Sequence, residues 1–446
     1  MTIRLEAIRE CFEGVVPATM STASPDGTPN LAYLSQVQFV DGDHVALSYQ
    51  FFNKTRQNIM ANPRASLILT HPVTVAQYRL TLQYLHTETS GPLFEVMRAK
   101  LAGIASHTGM GGVFRLLGSD VYKVLAVERL AGESLPAPVP PCNLLSALRT
   151  TTARLAACTD LERLMAELLS CLRQQFNIHH AMLLLLDEPG SRLYTVASMG
   201  YEESGAGSEI PLGQGVIGVA ARERTPIRIG HMTSEYAYSR AVRESAENSE
   251  WACALETAIP LPGLPSPRSQ LAVPFTAAQR LLGVLYVESP LDLRFAYDDE
   301  DVLVSVAVQF GMAMQILQAA AADAGEDAAA PPPAPPRQEG APLVVRHFAE
   351  NDSVFLGDDY LIKGVAGSIL WTLLRDFFDK GRSEFTNREL RLDARVRLPD
   401  VSDNLEARLI LLGKRLVDRS APIRIEKTGR GRFRLCVERP LTLHAA

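Results

Sequence analysis

Short alternations of apolar and polar residues fill the first 130 residues, and turn signals such as the one at 24–27 separate them. The strands that this pattern predicts lie at 15–23, 31–40, 45–49, 64–70, 73–87 and 121–128. One stretch, 92–106, has helical spacing of its apolar residues. Closely spaced short strands with a single late helix predict a small closed β-barrel.

The middle of the chain mixes helical and extended patterns. A long amphipathic helix is predicted over 144–176 and a terminal helix over 298–318. The predicted strands between them lie at 181–186, 192–197, 227–229, 271–275 and 283–288. This order indicates a second folded unit that contains both strands and helices.

The C-terminal pattern begins with two short strands, at 344–345 and 354–356, which turn at 357–358. Helical spacing follows over three stretches, and a hairpin turned at 429–431 closes the segment. The predicted helices and hairpin strands lie at 368–379, 387–392, 403–417, 423–426 and 432–435. Three helices followed by a hairpin predict a winged helix-turn-helix.

Two proline-rich segments divide the chain. Residues 131–142 contain four prolines, and residues 319–342 contain ten alanines and six prolines. Proline lacks an amide hydrogen and has a fixed φ, so both segments are predicted to be linkers. The predicted organisation is therefore a first domain at 1–130, a linker at 131–142, a second domain at 143–318, a linker at 319–342 and a third domain at 343–437.

Composition supports three globular domains in 446 residues, with 47% hydrophobic and 21% charged residues. The net charge is −6, yet the segment 341–446 carries 19 basic and 15 acidic residues, which favours a nucleic-acid surface there. The six cysteines form no CxxC pair, so neither a disulfide framework nor a metal site is expected. No apolar run of membrane-spanning length or signal peptide is seen, which predicts a cytoplasmic protein without a membrane partner.

The stretch from Leu47 to Leu69 has a hydroxyl residue at the end of a strand, then a loop, a basic helix start and Asn62-Pro63. It resembles the FMN-binding split barrel of the pyridoxamine 5′-phosphate oxidase superfamily. The resemblance implies bound FMN, with its phosphate at Ser48, Lys54 and Thr55. Such a helix start offers a cation, a hydroxyl and free amides to a phosphate. The alternative interpretation is that Lys54, Thr55 and Arg56 are only a solvated helix start.

The same resemblance places the strand with Gln36, Val37 and Gln38 under the flavin ring, whose edge it would hydrogen-bond. Asn53 stands where a second basic residue often precedes the lysine in the family. The Arg and His residues with which the vitamin-processing oxidases hold pyridoxal also have no match. Oxidation of pyridoxamine phosphate is therefore not expected.

The segment 269–315 combines a strand ending in Val-Pro, a Gly-Val-Leu strand and an acidic start to an apolar helix. It resembles the second half of a GAF domain, which implies an α/β sandwich of an antiparallel sheet with helices. The motif GxGxxG at 213–218 follows Pro211 rather than a central strand, so a dinucleotide site is rejected. A small-molecule ligand is expected, but the residues do not identify it. The long helices flanking such a domain predict a homodimer.

The last segment resembles the DNA-binding output domain of response regulators, with Gly429, Gly431 and Phe433 in the wing hairpin. The resemblance implies a recognition helix at 403–418 that contacts duplex DNA. Phosphate contacts are predicted from the wing and base contacts from the outward helix face. The predicted contact residues are Arg408, Lys414, Arg415, Lys427, Arg430 and Arg432, with Asn404, Leu411 and Arg434 beside them. Because Ile410 and Leu411 are apolar, this face is also suited to docking against protein.

The predicted function is a regulator in which a flavin-binding or ligand-binding barrel and a GAF domain control a winged-helix output. Two alternatives stay open: an FMN-dependent oxidoreductase with regulatory domains, and a scaffold that acts through protein contacts. No catalytic motif of the hydrolase, metalloprotease, P-loop or deaminase type is present in the sequence.

Overall fold

The computed structural model describes residues 3–12, 16–34, 36–49, 54–107, 116–187, 191–230, 259–323, 340–396, 398, 405–429 and 431–445. The architecture is multidomain α+β, as predicted, with three units in chain order. Residues 324–339, which make up most of the second predicted linker, lie outside the described residues. The first linker, 131–142, has no helix or strand and is almost wholly exposed, as its prolines predict.

The first unit is a curled, half-barrel sheet of seven antiparallel strands in the order β2-β1-β5-β6-β7-β4-β3. Its strands are β1 Ala18–Ala23, β2 Pro29–Leu34, β3 Val37–Phe39, β4 His44–Tyr49, β5 Arg64–Thr70, β6 Gln77–Glu88 and β7 Gly118–Arg129. Its helices are α1 Lys54–Ala61 and α2 Pro92–His107, and a kinked 3₁₀ segment, Leu5–Phe12, covers the core. The expectation of a closed barrel is wrong for the described residues, because the edge strands β2 and β3 do not pair with each other.

The second unit is a six-stranded antiparallel sheet in the order β10-β9-β8-β13-β12-β11. Its strands are β8 His180–Asp187, β9 Arg192–Met199, β10 Glu209–Pro211, β11 Ile227–Ile229, β12 Ser269–Ala277 and β13 Arg280–Ser289. Its helices are α3 Leu144–Ala156, α4 Leu161–Phe176, α5 Gly215–Glu223 and α6 Tyr297–Asp323. One face of the sheet packs on α3, α4 and α6 and the other on α5.

Two boundaries in this unit differ from the prediction. The single helix expected over 144–176 is two helices, because Asp160 begins a new one by accepting a hydrogen bond from the Arg163 amide at 3.0 Å. The terminal helix continues to Asp323, into the segment predicted as linker. Among the described helices, this is the one that is long and apolar enough to cross a membrane, over Tyr297–Ala320. Of that apolar stretch, 39% is buried within the protein.

The third unit has a four-stranded sheet in the order β16-β15-β14-β20, then three helices and a three-stranded sheet in the order β17-β19-β18. Its strands are β14 Leu343–Phe348, β15 Ser353–Leu356, β16 Asp359–Ile362, β17 Glu384–Thr386, β18 Ile423–Gly429, β19 Arg432–Val437 and β20 Leu441–Ala445. Its helices are α7 Gly364–Lys380, α8 Asn387–Leu392 and α9 Leu405–Asp418. The predicted end at 437 is too early, because β20 pairs in parallel with β14.

Candidate functional site

The predicted phosphate grip begins α1. Lys54 is exposed at the first position of this helix, and residues 50–53 before it lie outside the described residues. Thr55 is buried, and its hydroxyl accepts a hydrogen bond from Asn30 Nδ2 at 2.9 Å. Asn58, one turn on, is buried and donates to the Thr22 hydroxyl at 3.1 Å. These bonds fix the helix on β1 and β2 and leave the Lys54 ammonium at the surface.

Arg56 is not part of a solvated helix start, the alternative interpretation given above. Its guanidinium donates to the buried Asp120 carboxylate and, at 2.8 Å, to the Thr87 hydroxyl. The same group stacks over the Tyr49 ring at 4.5 Å. Burial alone would lower the pKa of Arg56, but the hydrogen bond and charge of Asp120 outweigh that effect and raise it. Arg56 is therefore a structural cation inside the sheet, so that interpretation is wrong for this residue.

The predicted ring strand, β3, is an edge strand paired with β4. The Val37 side chain is buried in the core, so only its backbone is available at the strand edge. Gln36 has a buried side-chain oxygen without a partner among the described residues. Gln38 accepts a hydrogen bond from Lys100 Nζ at 3.3 Å. The Ser48 amide on β4 donates to the Gln36 carbonyl at 3.2 Å, which joins the two predicted parts of the site.

A cationic and aromatic junction connects this sheet to the second unit. The Tyr297 ring, at the start of α6, lies 4.9 Å from the Arg9 guanidinium and 4.3 Å from that of Arg228. Arg9 pairs with Asp301 at 2.9 Å. Lys100, which donates to Gln38, is also 5.8 Å from the Tyr297 ring. No sequence pattern indicates this junction, because its members come from distant segments.

The second unit holds a buried polar cluster on the α5 side of its sheet. Glu288 accepts hydrogen bonds from the Leu264 amide at 2.7 Å and from the Tyr286 hydroxyl at 3.0 Å. Gln270, which faces Glu288 across the strand pair, is 4% exposed, and its side-chain oxygen has no partner among the described residues. His180 lies on the neighbouring strand beside Glu288. This cluster is the candidate ligand-binding site of the second unit.

The glycine motif at 213–218 lies in antiparallel surroundings. It opens α5 after β10, a strand antiparallel to β9, and α5 leads to β11, which is antiparallel to β12. The βαβ unit of a dinucleotide site is therefore not formed around it. Gly218 serves close packing instead, since a Cβ there would lie 2.4 Å from the Pro211 carbonyl oxygen.

Helix α9, the predicted recognition helix, places its arginines inward. Arg408 is 5% exposed and pairs with Asp187 of the second unit at 2.8 Å. Arg415 is 6% exposed and donates from Nε to the Leu361 carbonyl at 2.8 Å. The expectation that these two side chains face outward is wrong in this structure. The helix packs on two partners at once, and sequence spacing cannot reveal the second one.

The other face of α9 lines a cavity of about 460 Å³ between the hairpin and the second unit. Lys414 lies in this wall, and burial lowers the pKa of its ammonium. Burial raises the pKa of Glu406, which lies in the same wall and faces the Lys427 ammonium at 3.8 Å. Arg432 on the hairpin also lines the cavity. Asn404 and Arg430 lie outside the described residues.

One further surface bears on function. Helix α6 carries an exposed apolar stripe, which consists of Val308, Met312 and Ile316 and is called the α6 stripe below. In the described part of the chain, no group of three or more His, Cys, Asp and Glu residues is placed to hold a metal ion.

Comparisons with known proteins identify the first two units. Residues 5–97 match the family model described as pyridoxamine 5′-phosphate oxidase, and residues 160–314 match that of the GAF domain. The chain therefore has an N-terminal domain like pyridoxamine 5′-phosphate oxidase, here the oxidase-like domain, followed by a GAF domain. Both predictions are confirmed. Neither match reaches the third unit, and no curated protein matches the chain.

Several solved structures are similar to parts of the chain. An FMN-binding protein from Syntrophomonas wolfei is 14% identical, and the match covers 28% of this chain and 88% of that one, with a TM-score of 0.24. The GAF domain of an Acinetobacter phosphoenolpyruvate-protein phosphotransferase is 21% identical, covering 41% and 97%, with a TM-score of 0.31. Free methionine-R-sulfoxide reductase from Neisseria meningitidis is 20% identical, covering 42% and 96%, also with a TM-score of 0.31.

Proposed function

We propose that this chain is a signal-sensing regulator, in which the oxidase-like and GAF domains control a winged-helix output that binds duplex DNA. The position of α9 carries the proposal. This helix precedes a basic hairpin and also contacts the GAF domain through Arg408 and Asp187. A helix shared between a sensor and an output lets a ligand-dependent shift in one change the population of the other.

The C-terminal element order supports a winged helix. Helices α7, α8 and α9 precede the β18–β19 hairpin, and β17 adds the third strand of its sheet. Lys427 and Arg432 lie on this hairpin, and Arg430 belongs to the same turn in the sequence. Cations on a wing contact phosphates, which position the protein without selecting bases.

Fluorescence anisotropy with duplex DNA over a salt series tests the DNA output. The affinity of the full chain should fall with salt, with a log–log slope of about −0.9 per phosphate contact. The double variant Lys427→Ala/Arg432→Ala should flatten the slope by about two units. Arg79→Ala/Lys123→Ala removes the same charge from the oxidase-like domain and should leave the slope unchanged. If DNA does not bind at low salt, even when α9 is released from the GAF domain, the output is not DNA, and the apolar 410–412 stretch supports the scaffold alternative.

We also propose FMN as the cofactor of the oxidase-like domain. The residues fit this group: Lys54 is exposed at a helix N-terminus, and the Gln36 side-chain oxygen on the predicted ring strand is buried with no partner among the described residues. Lys54 and Thr55 would hold the phosphate, Ser48 would lie beside them, and the β3 backbone with Gln36 and Gln38 would meet the ring edge. Bound FMN supplies redox chemistry, which would make this domain sensitive to redox state.

Three further features belong to the same proposal. A small molecule would bind the GAF domain at the polar cluster of Glu288 and Gln270, where the buried Gln270 side-chain oxygen has no partner among the described residues. Two copies of the chain would pair through the α6 stripe, since exposed apolar patches mark interaction surfaces. The protein would work in the cytoplasm, where both FMN and duplex DNA are available.

A further inference from the structure

Two faces of helix α9 are directed at the GAF domain. On one face, Arg408 pairs with Asp187 and also lies 5.3 Å from the Tyr194 ring. On the other face, Ile410, Gly413 and Lys414 line the cavity whose opposite wall includes GAF residues. The helix that the proposed function assigns to the major groove is thus enclosed between its own domain and the sensor.

The contact between α9 and the GAF domain combines apolar packing with polar pairs. Leu411 is buried at its centre, in one apolar cluster with Tyr194 and Ala206 of the GAF domain. Polar contacts surround this centre. They join Arg408 to Asp187 at 2.8 Å, Lys363 to Glu209 at 3.2 Å, and the Ser204 hydroxyl to the Asp418 carboxylate.

This arrangement is incompatible with DNA on the same helix. A recognition helix enters a major groove that is about 12 Å wide, and its exposed side chains reach the base edges there. The cavity beside α9 is about 460 Å³, which admits a small molecule but no duplex. Arg408 also cannot pair with Asp187 and with a base at the same time.

We propose that the α9–GAF contact is autoinhibitory, with the Arg408–Asp187 pair as its latch and DNA binding restricted to the undocked state. The inference rests on the proposed DNA output and adds its regulation. In this scheme Arg408 has two exclusive partners, Asp187 when the helix is docked and DNA when it is free. The apparent DNA affinity then equals the intrinsic affinity multiplied by the undocked fraction. A signal that loosens the GAF side of the contact raises DNA binding without touching the wing.

The test weakens the latch from the GAF side and leaves every predicted DNA contact intact. Asp187→Asn in the full chain removes the carboxylate charge that faces the buried Arg408 guanidinium, which weakens the ion pair across the contact in the docked state. We expect duplex DNA to bind on the order of tenfold more tightly, because the undocked fraction rises. Asp358→Asn is the matched control, because it makes the same charge change at an exposed pair with Arg346 (3.0 Å) away from the interface.

A second variant separates the latch from simple charge effects and from misfolding. Ser204→Asp places a carboxylate against Asp418, so repulsion should open the contact. Its added negative charge would by itself weaken DNA binding, yet the latch predicts tighter binding. Labelling of Lys414 by an amine-reactive reagent, read by mass spectrometry, reports undocking without DNA and should increase in both variants.

The outcomes distinguish the two proposals. Tighter DNA binding and faster Lys414 labelling in Asp187→Asn and Ser204→Asp, but not in Asp358→Asn, support the latch. If all forms bind DNA equally, the latch is wrong and the DNA output stands. If no form binds DNA although Lys414 labelling has increased, the DNA output itself is wrong, and the latch falls with it.

Discussion

At the scale of single residues, side chains of the same charge in this chain have different roles that depend on their surroundings. Lys54 and Arg56 are two positions apart on α1, yet Lys54 is exposed and Arg56 is held between Asp120 and the Tyr49 ring. A buried guanidinium with a carboxylate partner stabilises the sheet only while both charges are present. The exposed lysine, by contrast, is available to an anionic ligand.

Lys54 gives the prediction at this scale. Replacing it with alanine should weaken FMN binding by about 1.5–3 kcal/mol, the usual loss for a charge-assisted hydrogen bond. Titration of the full chain with FMN, followed by flavin fluorescence, measures the affinity. Lys123→Ala, an exposed lysine on β7, is the matched control. Saturable binding that is unchanged in Lys54→Ala would remove this residue from the site, and no binding by any form would remove the cofactor.

At the scale of elements, α6 shows how one helix can serve two surfaces. Its buried side packs on the GAF sheet, with Val306 and Phe310 in the core, while the α6 stripe faces solvent. A helix that is apolar on both sides passes the length and composition test for a membrane span. The buried side explains part of that hydropathy, and the exposed α6 stripe contributes the rest.

Pairing of two chains through the α6 stripe gives the prediction at this scale. Met312, which is 52% exposed, lies at the centre of the stripe. Met312→Glu should shift the solution mass from twice 48.7 kDa to a single 48.7 kDa chain, because a carboxylate cannot be buried unpaired in an apolar contact. Light scattering after gel filtration measures it. Leu291→Glu changes an exposed apolar residue outside the helix and should keep the dimer. A wild-type monomer would show that the stripe does not pair copies of this chain.

At the scale of the whole molecule, the domains contact each other through charged and aromatic side chains as well as apolar packing. Arg9 of the oxidase-like domain and Arg228 of the GAF domain both contact the Tyr297 ring on α6, and Asp187 joins the GAF domain to α9 through Arg408. Cation–π and ion-pair contacts such as these have defined geometry, so a small displacement at either end weakens them. The GAF domain lies at the centre of both contacts.

The Tyr297 junction gives the prediction at this scale. Tyr297→Ala removes a buried ring and its cation–π contacts with Arg9, Lys100 and Arg228, so the free energy of unfolding should fall by about 3–5 kcal/mol. Urea titration followed by circular dichroism measures the loss. Tyr33, which is 82% exposed, is the control, and Tyr33→Ala should change stability by about 0.5 kcal/mol or less. Equal small effects of both substitutions would mean that the two domains do not depend on this junction.

The sequence by itself determined the type and order of most elements, the first linker, and the oxidase-like and GAF domains. Hydrophobic periodicity and proline placement act over a few residues, so they are visible in the chain. The new helix that begins after Asp160 depends on a local N-cap. The sequence pattern missed this helix start, because the apolar stripe continues across it. Strand β20 forms by pairing with a distant partner, β14. Its five residues have only a weak alternation of apolar and polar positions, so the sequence pattern did not predict it.

Only the tertiary structure decided what the polar residues of the candidate sites contact. The helical spacing of Arg408 and Arg415 is correct, yet both are buried, because α9 has the GAF domain on one side and β16 on another. The Tyr297 junction unites residues from the first segment, the middle of the chain and α6. The physical reason is the distance along the chain between interacting residues. Hydrophobic periodicity indicates which face of a helix is buried against its own core, whereas a partner that is hundreds of residues away leaves no local pattern.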